Sequence, residues 1–306
     1  MTPTASTTDR AASSNRFIWL RAETFIHVGA GETSSLIDLP FARESGTSYP
    51  YIPGSGMKGA YRAMCRVKYP AIVTGDEEHA TDDPRLLSLF GEQDNAGPVL
   101  VSDARLAFLP LRSLSSAFVL ATCPNVLQRL VRDRRFAGGI AFDPAMFLAN
   151  LENWDEEAVQ SDPAHGDQLF IEEFRFPRGD PGLWDALRPG LEALLTGLDG
   201  IPDAIRRVAI VSDPDFGFFT RRRLHVRSRN RLLPISKTVA TGALWSEESL
   251  PPETIMYNIL SARGPAYVGK LTELTELIHD SGCGYLQVGG NETVGEGWLS
   301  LHGAQS

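Results

Sequence analysis

The segment that most restricts the fold of this 306-residue chain is a strand, a long loop and a cationic helix near its start. An apolar run predicts a strand over Phe17–Val28, which breaks at Gly29 and Gly31. The loop ends at residues 53–56 (Pro-Gly-Ser-Gly), and a helix is predicted over Gly56–Val67. Glycines permit tight turns, and the free amides at a helix start attract phosphate. This order of elements therefore predicts an anion-binding site.

Two kinds of charge accompany this site. Lys58 and Arg62 are four residues apart and share one helix face, and Asp38 stands between apolar residues in the middle of the loop. An aspartate beside Pro commonly caps a turn. Alternatively, its carboxylate orients a divalent cation or helps to deprotonate a 2′-hydroxyl, with His27 and His225 as candidate acid–base partners. A lone histidine beside a strand is more often a satisfied core residue, so both interpretations stay open.

Charge is spread unevenly along the chain, whose 29 basic and 38 acidic residues give a net charge of −9. Residues 137–174 carry only acidic charges, whereas residues 216–245 carry only basic ones. The basic segment begins with Phe216, Phe218 and Phe219, and cations interleaved with aromatic rings suit a single-stranded nucleic acid. The alternative is a solvated hairpin whose arginines pair with the acidic half of the same protein or of a neighbour. In either case a β-hairpin is predicted over about 213–241.

The remaining pattern predicts an α+β fold. Further strands are predicted over 98–109, 116–121, 168–176, 254–260, 285–288 and 298–301. Further helices are predicted over 84–90, 124–133, 181–198 and 268–279. The order strand, helix, strand, strand, helix, strand is that of a ferredoxin-like (RRM-like) sheet with insertions, a known RNA-binding platform.

Other segments restrict location and class. Residues 1–15 are Thr/Ser/Ala-rich and are predicted to be a disordered tail before a single domain over 16–306. Residues 74–83 are predicted to be an acidic surface loop and about 142–167 an acidic, partly helical, peripheral insertion.

The glycine-rich loop 289–297 lacks a complete P-loop, so it is either a turn between strands or a passage close to a phosphate chain. Three widely spaced cysteines argue against disulfides and zinc, and no apolar run approaches the roughly 20 residues of a membrane span, so a cytoplasmic protein is expected.

Several of these motifs together resemble the RAMP superfamily, and more narrowly the backbone subunit of the type III-B (Cmr) CRISPR effector complex. The matching residues near the start are His27–Gly31, Ile37–Pro40, Arg43–Glu44, Thr47, Pro50 and Ile52–Arg62. The resemblance continues through Leu89–Gly91, Val101–Ala104, Gly242–Trp245 and Gly289–Gly297. It spans the chain from about Phe17 onward.

This resemblance implies a ferredoxin-like palm, a protruding β-hairpin thumb and peripheral helical insertions. Copies are expected to stack head to tail along a guide RNA and to cleave complementary target RNA at regular intervals. The implied partners are guide RNA, target RNA, further copies of the chain and other Cmr subunits, with no membrane. Cleavage in the family needs a divalent metal, so Mg²⁺ or Mn²⁺ is expected, not tightly bound.

The resemblance also assigns site residues. Asp38 falls on the cleaving aspartate and is the possible metal ligand. The guide-RNA-binding set is Ser55, Lys58, Arg62, Gly289, Gly290 and Gly295. The thumb set, expected at the RNA duplex, is Phe218, Arg221, Arg222, Arg223, Arg227, Arg229, Arg231 and Lys237. One departure is Gly56-Met57, where the family more often has a small polar and an aliphatic residue, so position 56 makes no side-chain contact.

Two alternatives to a cleaving subunit stay open. One is a non-cleaving, structural RNA-binding subunit of the same superfamily. The other is a free-standing enzyme that binds a phosphate ligand with its two glycine-rich loops.

Overall fold

Ten strands form the central sheet within the residues that the computed structural model describes. Those residues are 14–29, 31, 37–73, 80–92, 94–138, 140, 142–152, 154, 156–198, 201, 203–280 and 284–303. The strands are β1 Asn15–Ala22, β2 Tyr51–Ile52, β3 Ile72–Val73, β4 Ala80–Thr81, β5 Gly91–Glu92, β6 Asn95–Ala96, β7 Val99–Val101, β8 Ala104–Arg112, β9 Phe118–Thr122, β10 Gln160–Ser161, β11 Gln168–Ile171, β12 Phe174–Pro177, β13 Val208–Ile210, β14 His225–Leu232, β15 Val239–Ser249, β16 Ile255–Ala262, β17 Tyr285–Gln287 and β18 Trp298–His302. The α-helices are α1 Gly54–Cys65, α2 Pro84–Phe90, α3 Pro124–Phe136, α4 Pro144–Glu152, α5 Pro181–Leu194, α6 Ala204–Arg207, α7 Asp213–Arg222 and α8 Val268–Asp280.

The sheet has a mixed topology. Its order is β10-β13-β9-β8-β16-β1-β18-β17, with β2 beside β8 and β7 beside β16. β13 and β9 are parallel, and the other neighbours are antiparallel. The fold is therefore α+β, as the sequence predicts at this level.

Both faces of the sheet are covered, which explains the uninterrupted apolar run of β1. Ile18 and Leu20 face the core that contains α1, α2 and α8. Phe17 and Trp19 point to the opposite face, against α3, α4 and α5. A strand buried on both sides reads as a continuous apolar run because neither set of alternating side chains contacts water.

Several predicted elements are confirmed with small shifts. α2 matches residues 84–90, and the Asp83 side chain caps it by accepting from Arg85 N at 2.8 Å.

The bounds or the number of strands are wrong for three other predicted segments. The first strand ends at Ala22, six residues early, and the single strand over 98–109 is two strands, β7 and β8. Residues 168–176 form the hairpin β11–β12, which turns at Glu172 with a φ of 52°.

The basic segment is a helix followed by a hairpin, so the predicted hairpin bounds of about 213–241 are wrong. α7 begins after Ser212, whose Oγ accepts from Asp215 N at 3.2 Å, with Asp213 and Asp215 in the first turn. This sequence, Ser-Asp-Pro-Asp, is a helix start signal, because acids and a capping serine satisfy the free amides there. The hairpin itself is the separate two-stranded sheet β14–β15.

The acidic insertion is partly helical, as predicted, but its ends belong to the body of the protein. Phe147 and Leu151 of α4 are buried in the core beside α5. β10 adds an edge strand to the central sheet through its pairing with β13. Of the predicted tail, residues 1–13 lie outside the described part, whereas Ser14 O accepts from Ala262 N and Asn15 begins β1.

Candidate nucleic-acid interface

Asp38 lies against the second strand of the hairpin. Its Oδ2 accepts from the main-chain N of Ser246 at 2.7 Å and from the Ser246 hydroxyl at 2.8 Å. These two hydrogen bonds hold the pKa of the exposed Asp38 carboxyl below its usual value. The side chain is therefore a carboxylate at neutral pH, and it is anchored to a strand 208 residues away in sequence rather than only capping a local turn.

The loop after Asp38 continues along β15. Leu39 pairs with Glu247 in a parallel bridge, and Phe41 N donates to Glu248 Oε2 at 2.9 Å. Glu248 also binds Arg43, with Nη2 and Oε1 2.7 Å apart. The loop that carries Asp38 is thus attached to the base of the hairpin.

Arg227 and Arg229, both assigned to RNA, form ion pairs inside the protein. Arg229 lies 3.0 Å from Glu247 and 2.9 Å from Glu296, and Arg227 lies 2.6 Å from Glu296. Both carboxylates are buried. The charges of Arg227 and Arg229 are therefore largely balanced within the protein, by acids outside the acidic segment 137–174, and a contact of these two residues with an RNA duplex stays a prediction.

The other residues assigned to the thumb lie in different parts of the structure. Arg223 pairs with Glu173, and Phe218 packs edge-to-face on Phe174 at 5.5 Å between centroids, so both contact the body. Arg221 and Arg222 are exposed at the end of α7 rather than on the hairpin. Arg231 and Lys237 are exposed near the hairpin tip, where four apolar side chains are also exposed: Leu232, Leu233, Ile235 and Val239.

The two candidate histidines have structural partners. His27 is buried, and its Nδ1 lies 2.6 Å from the main-chain O of Glu248, to which it donates because that oxygen can only accept. His225 stacks on Phe25 with centroids 4.6 Å apart. Burial, together with nearby Arg227, lowers the pKa of His225. Both rings therefore have contacts within the protein, and their role as acid–base partners stays a prediction.

The start of α1 borders an open groove of about 470 Å³. Ser55, Lys58 and Arg263 line it, together with Ala96 at the end of β6 and Gly97. One of the helix-start amides is already used, because Gly54 N donates to Asp103 Oδ1 at 2.7 Å. Two cations and an exposed hydroxyl remain to contact an anion there. The sequence does not point to Arg263, because this residue follows β16, far along the chain from α1, and only the fold brings it to the groove.

Arg62 has a protein partner as well. Its Nε donates to Asp82, and Arg66 Nε donates to the other oxygen of the same carboxylate at 2.7 Å. Although burial acts to raise it, the pKa of Asp82 is below its usual value because both guanidinium groups donate to it. Of the predicted surface loop 74–83, residues 74–79 lie outside the described part, and Asp82 is buried rather than exposed. The three side chains leave one net positive charge beside α1.

The glycine-rich loop packs against the segment before Asp38. Gly289 has a φ of 76°, and a Cβ there would lie 2.1 Å from His27 O. Gly290 N donates to the same oxygen at 3.0 Å. Gly295 has a φ of 80° and open space around it. Protein packing thus explains Gly289, while Gly295 is free to approach another molecule.

Within the part of the chain that the structure describes, no group of three or more His, Cys, Asp or Glu side chains could hold a metal ion. In the same described part, no helix is both long and apolar enough to cross a membrane.

Comparison with known proteins shows the family of the chain. The RAMP superfamily model matches residues 19–300, and the chain belongs to the RAMP superfamily. Among curated proteins, the CRISPR system Cmr endoribonuclease Cmr4 of Pyrococcus furiosus is 28% identical over 283 residues, which cover 90% of each chain.

Two solved structures share the fold. One is oligomeric Cmr4 from Pyrococcus furiosus, with a TM-score of 0.67, 23% identity and coverage of 94% of this chain and 96% of that one. The other is a chain of the Type III-B Cmr-beta bound to cognate target RNA, with a TM-score of 0.68, 22% identity and coverage of 94% and 96%. At these identities the likeness shows the fold alone.

Proposed function

We propose that this chain is a guide-RNA-binding backbone subunit of a type III-B CRISPR ribonucleoprotein and that it cleaves complementary target RNA with Asp38 as the catalytic carboxylate. The observation that carries the proposal is the exposed, ionised Asp38, fixed at the base of a hairpin whose outer cations are exposed. A carboxylate in this state can accept the proton of an attacking 2′-hydroxyl. The Cmr4 relative, named an endoribonuclease, supports the same activity.

In this proposal the central sheet with its helices is the ferredoxin-like palm, and β14–β15 is the thumb. Ser55, Lys58 and Arg263 bind the guide backbone in the groove beside α1. Arg62 contributes through the guanidinium nitrogens that Asp82 leaves free, and Gly295 through close approach of its backbone. The complex works in the cytoplasm, in accord with the proposed role.

Copies assemble head to tail along the guide. Exposed acids of the insertion, such as Glu156, would approach exposed cations of a neighbour, such as Arg221 and Arg231, in a heterologous contact that generates a helix. Reversing the charge of these two arginines is expected to weaken assembly on guide RNA. Unchanged assembly would remove this contact from the proposal.

The experiment that tests the proposed activity is reconstitution of the complex with Asp38→Ala and a labelled complementary RNA. The wild-type complex is expected to give a ladder of regularly spaced products, and the variant is expected to bind the RNA without cutting it. A variant that cuts at the wild-type rate would show that Asp38 is not catalytic. A wild-type complex that binds and never cuts would identify a structural subunit instead.

A further inference from the structure

The hydroxyl of Ser246 makes two hydrogen bonds to Asp38. It accepts from the Asp38 main-chain N at 3.0 Å and donates to Asp38 Oδ2 at 2.8 Å. The Ser246 main-chain N donates to the same Oδ2 at 2.7 Å. Ser246 therefore forms hydrogen bonds to both the backbone and the side chain of Asp38. These hydrogen bonds do not involve Oδ1.

Main-chain hydrogen bonds on either side of this contact fix the loop against β15. Leu39 N donates to Ser246 O at 3.0 Å, and Glu248 N donates to Leu39 O at 3.0 Å. These bonds add the loop to the edge of β15 in a fixed register. The position of the Asp38 side chain is then set by two donors of Ser246, its main-chain N and its hydroxyl, and the hydroxyl is the one that a substitution can remove.

We infer that Ser246 is the positioning residue for the cleaving carboxylate, holding Oδ2 so that Oδ1 faces the RNA. This inference rests on the proposed role of Asp38. Reacting groups must be held in a near-attack geometry, and displacement of about 1 Å can cost on the order of 100-fold in rate. Because Ser246 belongs to the hairpin, the strand that contacts RNA also sets the geometry of cleavage.

The test compares the reconstituted complex carrying wild-type chain, Ser246→Ala, Ser246→Thr or Ser246→Cys. Single-turnover cleavage of labelled target RNA and the Kd for that RNA are measured separately. Ser246→Ala keeps the main-chain donor, so we expect a rate about 10- to 100-fold lower with an unchanged Kd. Ser246→Thr keeps the hydroxyl in a residue that suits a strand, and it is expected to recover the rate to within about threefold.

Ser228 supplies a matched control. It is exposed and lies directly across the hairpin from Ser246, and the hydrogen bonds that the structure gives to Asp38 come from Ser246. Ser228→Ala is therefore expected to cut at the wild-type rate. If Ser246→Ala fails to assemble, Ser246→Cys, which has a similar volume and a weaker donor, is expected to assemble and to cut slowly.

The outcomes separate the two proposals. Ser246→Ala or Ser246→Cys cutting as fast as wild type, or Ser246→Thr cutting as slowly as Ser246→Ala, would overturn the positioning role. If Asp38→Ala itself cuts normally, the proposed function fails first. If Asp38→Ala is inactive while Ser246→Ala is fully active, only the inference about Ser246 fails.

Discussion

Arg229 and Glu296 pair across the base of the hairpin, with Nη2 and Oε2 2.9 Å apart. Glu296 also pairs with Arg227, and Arg229 also pairs with Glu247. Two guanidinium groups and two buried carboxylates therefore balance one another between β14, β15 and the glycine-rich loop. This cluster attaches the hairpin to the body next to Asp38.

Removal of Arg229 is expected to destabilise the protein. Arg229→Ala leaves Glu247 and Glu296 with less compensation in a poorly solvated site, so the free energy of unfolding should fall by about 3 kcal/mol. Urea denaturation measures the change. Arg231→Ala, two residues further along the same strand and exposed, is the control and should stay within about 0.5 kcal/mol of wild type. Equal effects of the two changes would show that the cluster does not hold the hairpin.

The Asp82 ion pairs predict a pH dependence. The pKa of Asp82 is lowered in the folded protein, so its contribution to stability is present above the unfolded pKa of about 3.9 and is lost as the pH falls through the lower folded value. Asp82→Asn should be less stable than wild type at pH 6. The difference between them, followed by urea denaturation, should shrink below about pH 4. A difference that stays constant with pH would contradict the ionised pair.

Lys58 and Arg263 are expected to bind the guide backbone through charge. Each cation lost should lower the affinity for guide RNA and reduce the slope of log Kd against log salt concentration by about 0.7. Fluorescence anisotropy with single-stranded guide RNA over a salt series measures both quantities. Arg188→Ala is the control, because Arg188 pairs with Glu192 on α5, which packs on the opposite face of the sheet from α1. A slope unchanged by Lys58→Ala would place the guide elsewhere.

The two loop glycines should respond differently to alanine. Gly289→Ala adds a Cβ that would lie 2.1 Å from the His27 carbonyl oxygen, so the free energy of unfolding should fall by more than about 2 kcal/mol. The Cβ of Gly295→Ala would lie in open space. The free energy of unfolding should therefore fall by only about 1 kcal/mol, which is the cost of a left-handed backbone for alanine. If its backbone approaches the guide, Gly295→Ala should instead weaken guide binding. Thermal unfolding and anisotropy separate these effects, and equal stability losses would refute the packing explanation of Gly289.

Cleavage is expected to depend on Mg²⁺ or Mn²⁺ supplied from solution. Chelation with EDTA should stop cleavage of target RNA while the complex stays bound to its guide, and either ion should restore it. Gel analysis of products and of the intact ribonucleoprotein measures both. Full activity in EDTA would remove the metal from the proposal.

Some of the fold follows directly from local sequence. α2 was predicted at its observed bounds because Asp83, Pro84 and Gly91 lie next to it and signal its start and end. The Ser-Asp-Pro-Asp start of α7 is an equally local signal for a helix, although the run of arginines after it also suits an exposed hairpin. In both cases the information lies within a few residues of the element.

The candidate site is different. The sequence by itself determined that Asp38 and Lys58 belong to one loop-and-helix segment and that a basic segment follows later in the chain. Only the tertiary structure decided that Ser246 holds Asp38, that Glu296 neutralises Arg227 and Arg229, and that Arg263 joins Lys58. Partners such as Asp38 and Ser246 are 208 residues apart, so their contact depends on the register of strands that folding alone brings together.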